Sequence, residues 1–446
     1  MKQTLIRNGT VLDIAADGTT ATPIPQQDVL IKGNRIDAIQ ATGAVDARHF
    51  DRVIEANGQL IMPGLINTHA HVPMVLFRGL VEDMPIDRWF NEGIWPLENN
   101  LEPEDVYWGT LLGMIEMLES GVTTVADHYF HMHHSVEAIE KIGGRALLGW
   151  AIFGSLGQQA VNDTADWVEE INGSGTSRIR AWMAPHAPYT CDDDFLRATA
   201  KKANQIGVGL HIHASETKAQ TEASLSARGI TPIQVLEETG IFDQPTLLAH
   251  CCGVNERDIE IIAKYQKHEG GIAHAPKTYL KLGEDIAPVT AFREAGIAVG
   301  LATDGAASNN TMDLWEPLRL MSMLQKDRLG AEAMPIPQAL HVATRSAAQV
   351  VGLADDLGAV EVGRLADLVL VDMSGIHHTP LHQIPASLVY NTRPTDVTTV
   401  LVDGDVVVEN GRVTAIDRDE VVSQAKARME RLSRNRPDQR IQTYNP

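Results

Sequence analysis

The sequence predicts an α/β protein in which a TIM-like (β/α)8 barrel carries a small β-sandwich-like domain built from both ends of the chain. Two observations lead to this fold class. Through the middle of the chain, short apolar runs alternate with longer stretches of helical periodicity, which is typical of parallel strands joined by helices. The two ends contain short strands and tight turns instead. We therefore assign residues 1–61 and 364–446 to the small domain and residues 62–363 to the barrel.

Strand and turn patterns at both ends support the small domain. One predicted hairpin turns at Gly33-Asn34 and another at Asp403-Gly404, and both dipeptides favour tight turns between antiparallel strands. Residues 419–434 have the spacing of a helix, and the chain from Pro437 onward is predicted to be a loose tail. Since both ends are rich in strand patterns and flank a different middle, we expect them to share one sheet domain.

The barrel prediction depends on eight apolar runs in the middle of the chain. An open, doubly wound sheet is the competing arrangement, but no glycine-rich phosphate loop follows any of the runs. Eight strands that alternate with helices over roughly 300 residues fit a closed barrel. The predicted strands cover residues 60–66, 123–126, 146–152, 179–184, 208–212, 246–249, 271–273 and 297–302.

The charge balance disfavours several classes of partner. Lysine and arginine number 37 against 58 aspartates and glutamates, which gives a net charge of −21. Such a surface repels nucleic acid polymers and anionic membranes, so we expect neither as a partner. No apolar run reaches the ~20 residues that span a bilayer, the start lacks a signal-peptide pattern, and three cysteines are too few for a disulfide framework. We expect a cytoplasmic protein with a small-molecule ligand.

Histidine or aspartate follows seven of the eight predicted strands. In a barrel the carboxyl ends of the strands meet at one mouth, where barrel enzymes hold their catalytic groups. The pattern therefore predicts an active site at this mouth. The residues concerned, in chain order, are His69, His71, Asp127, His186, His213, His250, His274 and Asp304.

Four of these residues form a candidate metal site. His69 and His71 are two positions apart, so on an extended strand both imidazoles point to the same side. His213 supplies a third nitrogen and Asp304 a carboxylate, and this set leaves a position for the water of a hydrolytic metal. His211 competes with His213 on the same strand, and we prefer His213 because it is nearer the mouth. Imidazole-rich sites suit Zn or Fe(II), and the residues alone do not choose between them.

Glu216 and His250 are the candidate acid–base groups. Glu216 follows His213 by three residues, at the point where the fifth predicted strand enters its loop. One carboxylate in that place can accept a proton from water and later deliver one to a leaving group. His250 could stabilise the attacking hydroxide and the tetrahedral intermediate. The alternatives are a solvated loop glutamate and a histidine of the core.

Two motifs resemble those of a known family. Residues 63–71 (PGLINTHAH) resemble the first metal-binding motif of the amidohydrolase superfamily, and residues 303–310 resemble the closing motif of its aminohydrolase branch. The likeness extends over nearly the whole chain. Residues 71–79, 185–189 and 213–217 are similar to segments of the 5-methylthioadenosine/S-adenosylhomocysteine deaminases of that branch. The resemblance implies a metal-dependent barrel hydrolase that forms homo-oligomers.

The resemblance also implies roles for individual residues. Two-metal relatives carry a bridging lysine after strand four, and no lysine occurs between Lys141 and Lys201, so we expect one divalent ion, with Zn favoured over Fe(II). Trp150 stands where the deaminases have a substrate-contacting arginine, and we expect it to contact the substrate by stacking. Residues 274–279 also depart from the family pattern. The remaining implied roles are metal ligands for His69, His71, His213 and Asp304, proton shuttle for Glu216, water handling for His250 and Asp304, and substrate contacts for Glu98 and His186.

The implied activity is metal-dependent hydrolytic deamination of an adenosine-type purine nucleoside, with release of ammonia through a metal-activated water. Two alternatives stay open at this point. One is a mononuclear aminohydrolase or chlorohydrolase that acts on guanine, a pterin or a triazine. The other is a catalytically inactive member of the family that serves as a scaffold.

Overall fold

A computed structural model describes residues 1–436 and Tyr444, so the tail predicted from Pro437 onward lies, apart from Tyr444, outside the described residues. The strands of the described part fall into three groups along the chain. The N-terminal group is β1 (Gln3–Ile14), β2 (Ala21–Lys32), β3 (Arg35–Ala41), β4 (Arg52–Glu55) and β5 (Gln59–Pro63). The central group is β6 (Leu65–Ala70), β7 (Val122–Tyr129), β8 (Arg145–Ile152), β9 (Ile179–Pro185), β10 (Leu210–Ala214), β11 (Thr246–His250), β12 (Gly271–His274) and β13 (Val299–Leu301). The C-terminal group is β14 (Leu368–Asp372), β15 (Val397–Val402), β16 (Asp405–Glu409) and β17 (Arg412–Val413).

Helices connect the central strands and follow the last of them. The α-helices are α1 (Ile86–Arg88), α2 (Trp95–Glu98), α3 (Pro103–Glu119), α4 (Met132–Ile142), α5 (Gly157–Gly173), α6 (Asp193–Ile206), α7 (Lys218–Arg228), α8 (Pro232–Glu238), α9 (Glu256–Tyr265), α10 (Pro276–Leu282), α11 (Val289–Glu294), α12 (Ala306–Asn309), α13 (Trp315–Leu329), α14 (Ile336–Ala343), α15 (Arg345–Val350), α16 (Ile384–Tyr390) and α17 (Arg418–Leu432). A π-helical segment covers Trp89–Ile94, and short 3-10 helices cover Ala47–His49, Val72–Phe77, Gly154–Leu156, Ile241–Asp243, Ile376–His378 and Pro394–Asp396. None of the described helices is long and apolar enough to cross a membrane.

The central strands form a parallel barrel that is nearly closed. Each strand from β6 to β13 pairs with the next in chain order, and all of these pairings are parallel. The first and last strands meet where the Thr68 hydroxyl donates a hydrogen bond of 2.8 Å to the carbonyl oxygen of Leu301. Gly300 permits this approach, because a Cβ there would overlap the Thr68 side chain. The predicted (β/α)8 barrel is confirmed, and the carboxyl ends of its strands share one mouth.

The second sheet joins strands from both ends of the chain. Its order is β17-β16-β15-β14-β5-β1-β2-β3, with β4 beside β1. Strand β5 is the link, because it pairs antiparallel with β14 and parallel with β1. A core separate from the main one lies on one face of this sheet and includes Ile6, Val29 and Leu401. The predicted small β domain formed by both ends is therefore present as a mostly antiparallel sheet.

The strand predicted over residues 60–66 is two strands in the structure. The chain leaves the small sheet at the end of β5 and enters the barrel at the start of β6, with Gly64 between them. The Gly64 amide donates to the carbonyl oxygen of Asp367 in the small domain, and the Leu65 amide donates to that of Gly121 beside the barrel. A Cβ at Gly64 would overlap the side chain of Thr123, so the crossing requires glycine.

A buried ion-pair network fastens the small sheet to the barrel. Arg145, at the start of β8, donates to Asp367 at 2.7 Å and to Asp403 at 3.3 Å. The Arg145 and Asp367 side chains are almost entirely buried. Since a buried charge is costly without a partner, these residues hold the two parts in one arrangement.

Candidate active site

Three imidazoles and one carboxylate converge at the mouth of the barrel. His69 lies near the end of β6, His71 directly after it, His213 near the end of β10, and Asp304 beyond β13. An Asp304 carboxylate oxygen lies 3.5 Å from the His69 Nε2 atom and 3.3 Å from the His71 Nε2 atom. The Nε2 atoms of His71 and His213 are 3.4 Å apart. The potential ligand atoms of His69, His71 and Asp304 all lie within 4.8 Å of one another.

The opposite ring nitrogens hold these imidazoles in orientation. The Nδ1 atom of His71 lies 2.6 Å from the carbonyl oxygen of His128, and that of His213 lies 2.8 Å from the carbonyl oxygen of His186. A carbonyl oxygen can only accept, so each Nδ1 carries a proton, and Nε2 is the atom through which each ring would donate a lone pair to a metal ion. The buried Nε2 atom of His69 has no hydrogen-bond partner. This donor set fits a divalent metal ion, which would use the lone pairs that converge here.

Strained backbone places two of the mouth residues. Asp304 and His250 have φ angles of 62° and 78°, in a region that residues other than glycine rarely adopt. The Asp304 amide donates a hydrogen bond of 3.0 Å to the carbonyl oxygen of His69, which fixes the end of β13 against β6. Conformations of this kind concentrate at functional sites.

The carboxylate of Asp304 is held in its ionised form. Burial alone would raise the pKa of Asp304, but the adjacent imidazoles of His69 and His71 and the charge of His71 hold it well below its usual range. Burial also lowers the pKa of His71, yet its contacts with Asp304 outweigh burial and raise the pKa to about 9, so a metal ion bound here would displace the Nε2 proton of His71. For His69, burial is the largest cause of the shift and lowers its pKa to about 4. Asp304 is thus an anion among imidazoles, as a cation site requires.

Glu216 is a buried carboxyl group beside this cluster. Burial is the main cause that raises its pKa to about 8, and the charge of Asp304 adds to the effect, while the hydrogen bond from Gln220 and the charge of His71 oppose it. One Glu216 oxygen lies 3.9 Å from the Nε2 atom of His250. Burial lowers the pKa of His250 to about 3, so its ring is neutral at physiological pH. The structure therefore brings together a protonated acid and a neutral imidazole at the edge of the candidate metal site.

A cavity opens over these groups. Glu98 lies on its wall and accepts a hydrogen bond of 2.6 Å from the Tyr129 hydroxyl, and burial raises the pKa of Glu98 to about 7. His186 also lies on the wall, with its Nδ1 atom 2.9 Å from the Thr190 hydroxyl. Among the described residues that line the cavity, none is lysine or arginine. The apolar part of the wall is formed by Met74, Trp89, Phe90, Trp95, Phe130, Ala151, Phe153, Tyr189 and Leu282.

Of the nine residues that were assigned a role in the site, the structure brings all but one to this cavity, whereas Asp127 and His274, which also follow predicted strands, are not among the residues that line it. His69 is buried directly behind the His71 and His213 rings, at 4.8 Å between ring centroids in each case. The others lie on the wall itself, namely Glu98, His71, His186, His213, Glu216, His250 and Asp304.

Trp150 is the exception and corrects the prediction that it contacts substrate. Successive residues of a strand point to opposite sides. On β8 it is Ala151 that faces the cavity, whereas the Trp150 ring packs edge-on against Trp167 of α5, at 5.5 Å, and against His133. Trp150 therefore belongs to the outer side of the barrel wall.

Several residues around the site were not predicted to act there. The Nε2 atom of His211 lies 2.8 Å from the Nδ1 atom of His69, so the strand neighbour set aside in favour of His213 orients another histidine. The sequence signal for His211 was its position two residues before His213, the same spacing that separates His69 from His71. His128 supports His71 through its backbone, and Gln220 contacts Glu216 from the next turn of chain. Nothing in the sequence around Gln220 distinguishes it from other helix residues.

Comparisons with known proteins place this chain in a family. The model of the amidohydrolase family matches residues 60–407. A 5-methylthioadenosine/S-adenosylhomocysteine deaminase from Desulforudis audaxviator is 41% identical over 432 residues, which cover 96% of this chain and 98% of the relative. A relative with the same description from Pelotomaculum thermopropionicum is 40% identical over 437 residues, which cover 97% of this chain and 99% of that protein.

Two solved structures are similar over almost the full length of this chain. An adenosine deaminase from Xanthomonas campestris with bound zinc has a TM-score of 0.89 and 28% identity, and the alignment covers 97% of this chain and 98% of that one. An atrazine chlorohydrolase from Arthrobacter aurescens, in complex with zinc, has a TM-score of 0.85 and 25% identity, with coverage of 96% and 100%.

Proposed function

The chain belongs to the amidohydrolase family, and from this premise we propose that it is a metal-dependent hydrolytic deaminase of an adenosine-type purine nucleoside. The candidate substrates are 5-methylthioadenosine and S-adenosylhomocysteine, the compounds named for its relatives. The observation that carries the proposal is the convergence of three imidazoles and Asp304 beside the buried acid Glu216, in a cavity whose wall is rich in aromatic side chains.

His69, His71, His213 and Asp304 are the residues that would hold the metal. When bound, a divalent ion of this kind supplies an activated water by lowering its pKa towards ~7. Zinc is the ion we propose, because the similar adenosine deaminase and atrazine chlorohydrolase both contain it and imidazole donors suit it. Fe(II) is the alternative that metal analysis of the purified protein would identify.

Glu216 moves the protons in this proposal. Deamination adds one water at the amine-bearing carbon, breaks the carbon–nitrogen bond and releases ammonia, so one proton must reach the ring nitrogen and another the departing amine. With a pKa of about 8, Glu216 is mainly protonated at pH 7 and can deliver the first proton. Its carboxylate then takes one proton from the attacking water and passes it to the amine, and the second proton of that water returns to Glu216 as the product carbonyl forms.

Asp304 and His250 would control the attacking water. Asp304 is ionised and can accept a hydrogen bond from the water or its proton, which fixes the direction of attack. The neutral ring of His250 carries one N–H group, which can donate to the oxygen that becomes the product carbonyl. Glu98 and His186 are the polar groups of the wall, and we propose that they bind the ribose hydroxyls while aromatic side chains enclose the base.

A substrate panel tests the proposed function. Purified metal-loaded protein is assayed for ammonia release from adenosine, 5-methylthioadenosine, S-adenosylhomocysteine, guanine, a pterin and an aminotriazine. We expect the adenosine-type nucleosides to give the highest kcat/KM. Ammonia from none of the three would refute the proposal.

A chlorohydrolase or another ring deaminase is the second candidate, favoured by the similarity to atrazine chlorohydrolase. The same panel, extended by chloride release from a chlorotriazine, separates it from the first. A folded, zinc-loaded protein that is inactive on every compound would support the scaffold alternative instead. Homo-oligomer formation and a cytoplasmic location stay predictions, which sedimentation and localisation experiments would test.

A further inference from the structure

Tyr444, more than two hundred residues beyond the acid Glu216 in the chain, is docked beside the cavity. Only 3% of the residue is exposed. Its backbone amide donates to Asn91 Oδ1 at 2.8 Å, and the Asn91 side-chain amide donates back to the Tyr444 carbonyl oxygen at 3.1 Å. Its ring stacks on Phe90 at 5.2 Å and meets Tyr189 edge-on at 5.1 Å. Phe90 and Tyr189 line the cavity, so Tyr444 packs directly against two residues of its wall.

The Tyr444 hydroxyl is connected to Glu216 through one side chain. Gln220, in the first turns of α7, accepts the backbone N–H of Glu216 on its Oε1 atom at 2.9 Å. Its Nε2 group donates to Glu216 Oε2 at 3.1 Å and to the Tyr444 hydroxyl at 3.2 Å. Because Gln220 Oε1 faces an N–H donor, the orientation of the amide is determined by the network. Every polar atom of the Gln220 side chain is therefore engaged.

The Tyr444 hydroxyl serves as the acceptor for one of the two N–H groups of the Gln220 amide. An amide group has two N–H donors, and in a buried site each needs an acceptor. Tyr444 accepts from one of them, so the other can remain directed at the Glu216 carboxyl group. Without the hydroxyl, rotating Gln220 towards another acceptor would break its bond to Glu216.

We propose that Tyr444 is a positioning residue for the proton-transferring Glu216 and that it acts through Gln220. The inference rests on the proposed role of Glu216. Tyr444 does not itself exchange a proton with the substrate. It fixes the amide that in turn fixes the rotamer of the acid, so its loss lowers the rate of proton transfer more than the affinity for substrate.

The test removes the hydroxyl while it keeps the ring. Tyr444→Phe retains the contacts with Phe90 and Tyr189, and Tyr265→Phe is the matched control, since the Tyr265 hydroxyl contacts Lys264 at the end of α9. We expect Tyr444→Phe to lower kcat about 3- to 10-fold, the range of one buried hydrogen bond, with KM changed less than about twofold. Tyr265→Phe should match the wild type in both constants.

A double-mutant cycle with Gln220→Met separates a positioning role from a merely structural one. If Tyr444 acts through Gln220, adding Tyr444→Phe to Gln220→Met should lower kcat no further. Thermal melting confirms that each variant is folded, and Gln220→Asn, whose amide is too short to reach both partners, replaces Gln220→Met if the latter fails to fold.

Two results would overturn the inference. One is a Tyr444→Phe variant with the kcat of the wild type. The other is a Tyr444→Phe change that lowers kcat by the same factor in the wild type and in the Gln220→Met background. The comparison is made on whichever compound of the substrate panel the wild type converts. Failure of the proposed function is therefore a different result, namely a wild type that converts no adenosine-type nucleoside.

Discussion

Replacing Glu216 by glutamine tests the centre of the proposed chemistry. With a pKa of about 8, the Glu216 carboxyl group is about nine-tenths protonated at pH 7, so the neutral amide changes the local charge little. The amide carbonyl can still accept the hydrogen bond from Gln220 that now reaches Glu216 Oε2. Folding and metal content should therefore be retained. What glutamine cannot do is give up and regain a proton.

The expected loss of kcat follows from the inability of glutamine to transfer a proton. Acid–base catalysis by one positioned group contributes about 10²- to 10⁴-fold, so kcat should fall by at least about 100-fold while the metal content stays at the wild-type level. The assay is ammonia release at saturating nucleoside, beside metal analysis of the same preparation. Glu222→Gln, an exposed change on the helix α7 that follows Glu216, is the control and should leave kcat unchanged. A Glu216→Gln enzyme that keeps a tenth or more of the wild-type kcat would refute the proton-shuttle role.

Three further predictions concern pH, metal and stability. The acid form of Glu216 predominates below its pKa and is lost above it, so kcat should decline as pH rises through about 8; a profile that is level from pH 7 to 9.5 would contradict this. Chelation should abolish turnover and added Zn should restore it, whereas a His213→Ala protein should neither bind the ion at full stoichiometry nor be rescued. Arg145→Met removes the cation that pairs with the buried Asp367, so the free energy of unfolding measured in urea should fall by about 3–5 kcal/mol. The KM of the folded fraction should not change. An unfolding midpoint equal to that of the wild type would show that the network contributes nothing.

The fold could be predicted because its pattern is local and repeated. Apolar runs that alternate with helical periodicity specify a parallel barrel whatever the exact ends of the strands. The division at Gly64 could not be predicted in the same way. The apolar character continues from β5 into β6, and only the pairing of β5 with β14, some three hundred residues away, shows that it belongs to the other sheet.

The site shows the same contrast. The candidate ligands could be found because each stands at the end of a predicted strand, and the ends of parallel strands meet. Trp150 was assigned to the cavity by similarity of position, but the pleat decides which side chains point inward, and a shift of one residue reverses the face. On β8 the inward residue is the small Ala151, which leaves space for a ligand. Gln220 and Tyr444 could not be predicted, because their contact with the site depends on tertiary packing.

One physical cause sets most of the protonation states in this cavity. Burial disfavours charge, so it lowers the pKa of an imidazole and raises that of a carboxyl group. His69 and His250 are therefore neutral near pH 7, and Glu216 is protonated. Asp304 lies in the same low-dielectric environment, yet the imidazoles beside it, above all that of His71, keep it ionised.

The two carboxyl groups are consequently assigned to different tasks by their neighbours. A group that is an anion at pH 7 can bind a cation and attract a water proton, and a group that is an acid at pH 7 can protonate a ring nitrogen. If the imidazole contacts of Asp304 were removed, burial would raise its pKa as it does for Glu216, and the site would hold two acids and no anion. The charge of Asp304 therefore depends on its neighbours, because a protonated His71 stabilises the anion and a bound metal ion would do the same once it displaced that proton.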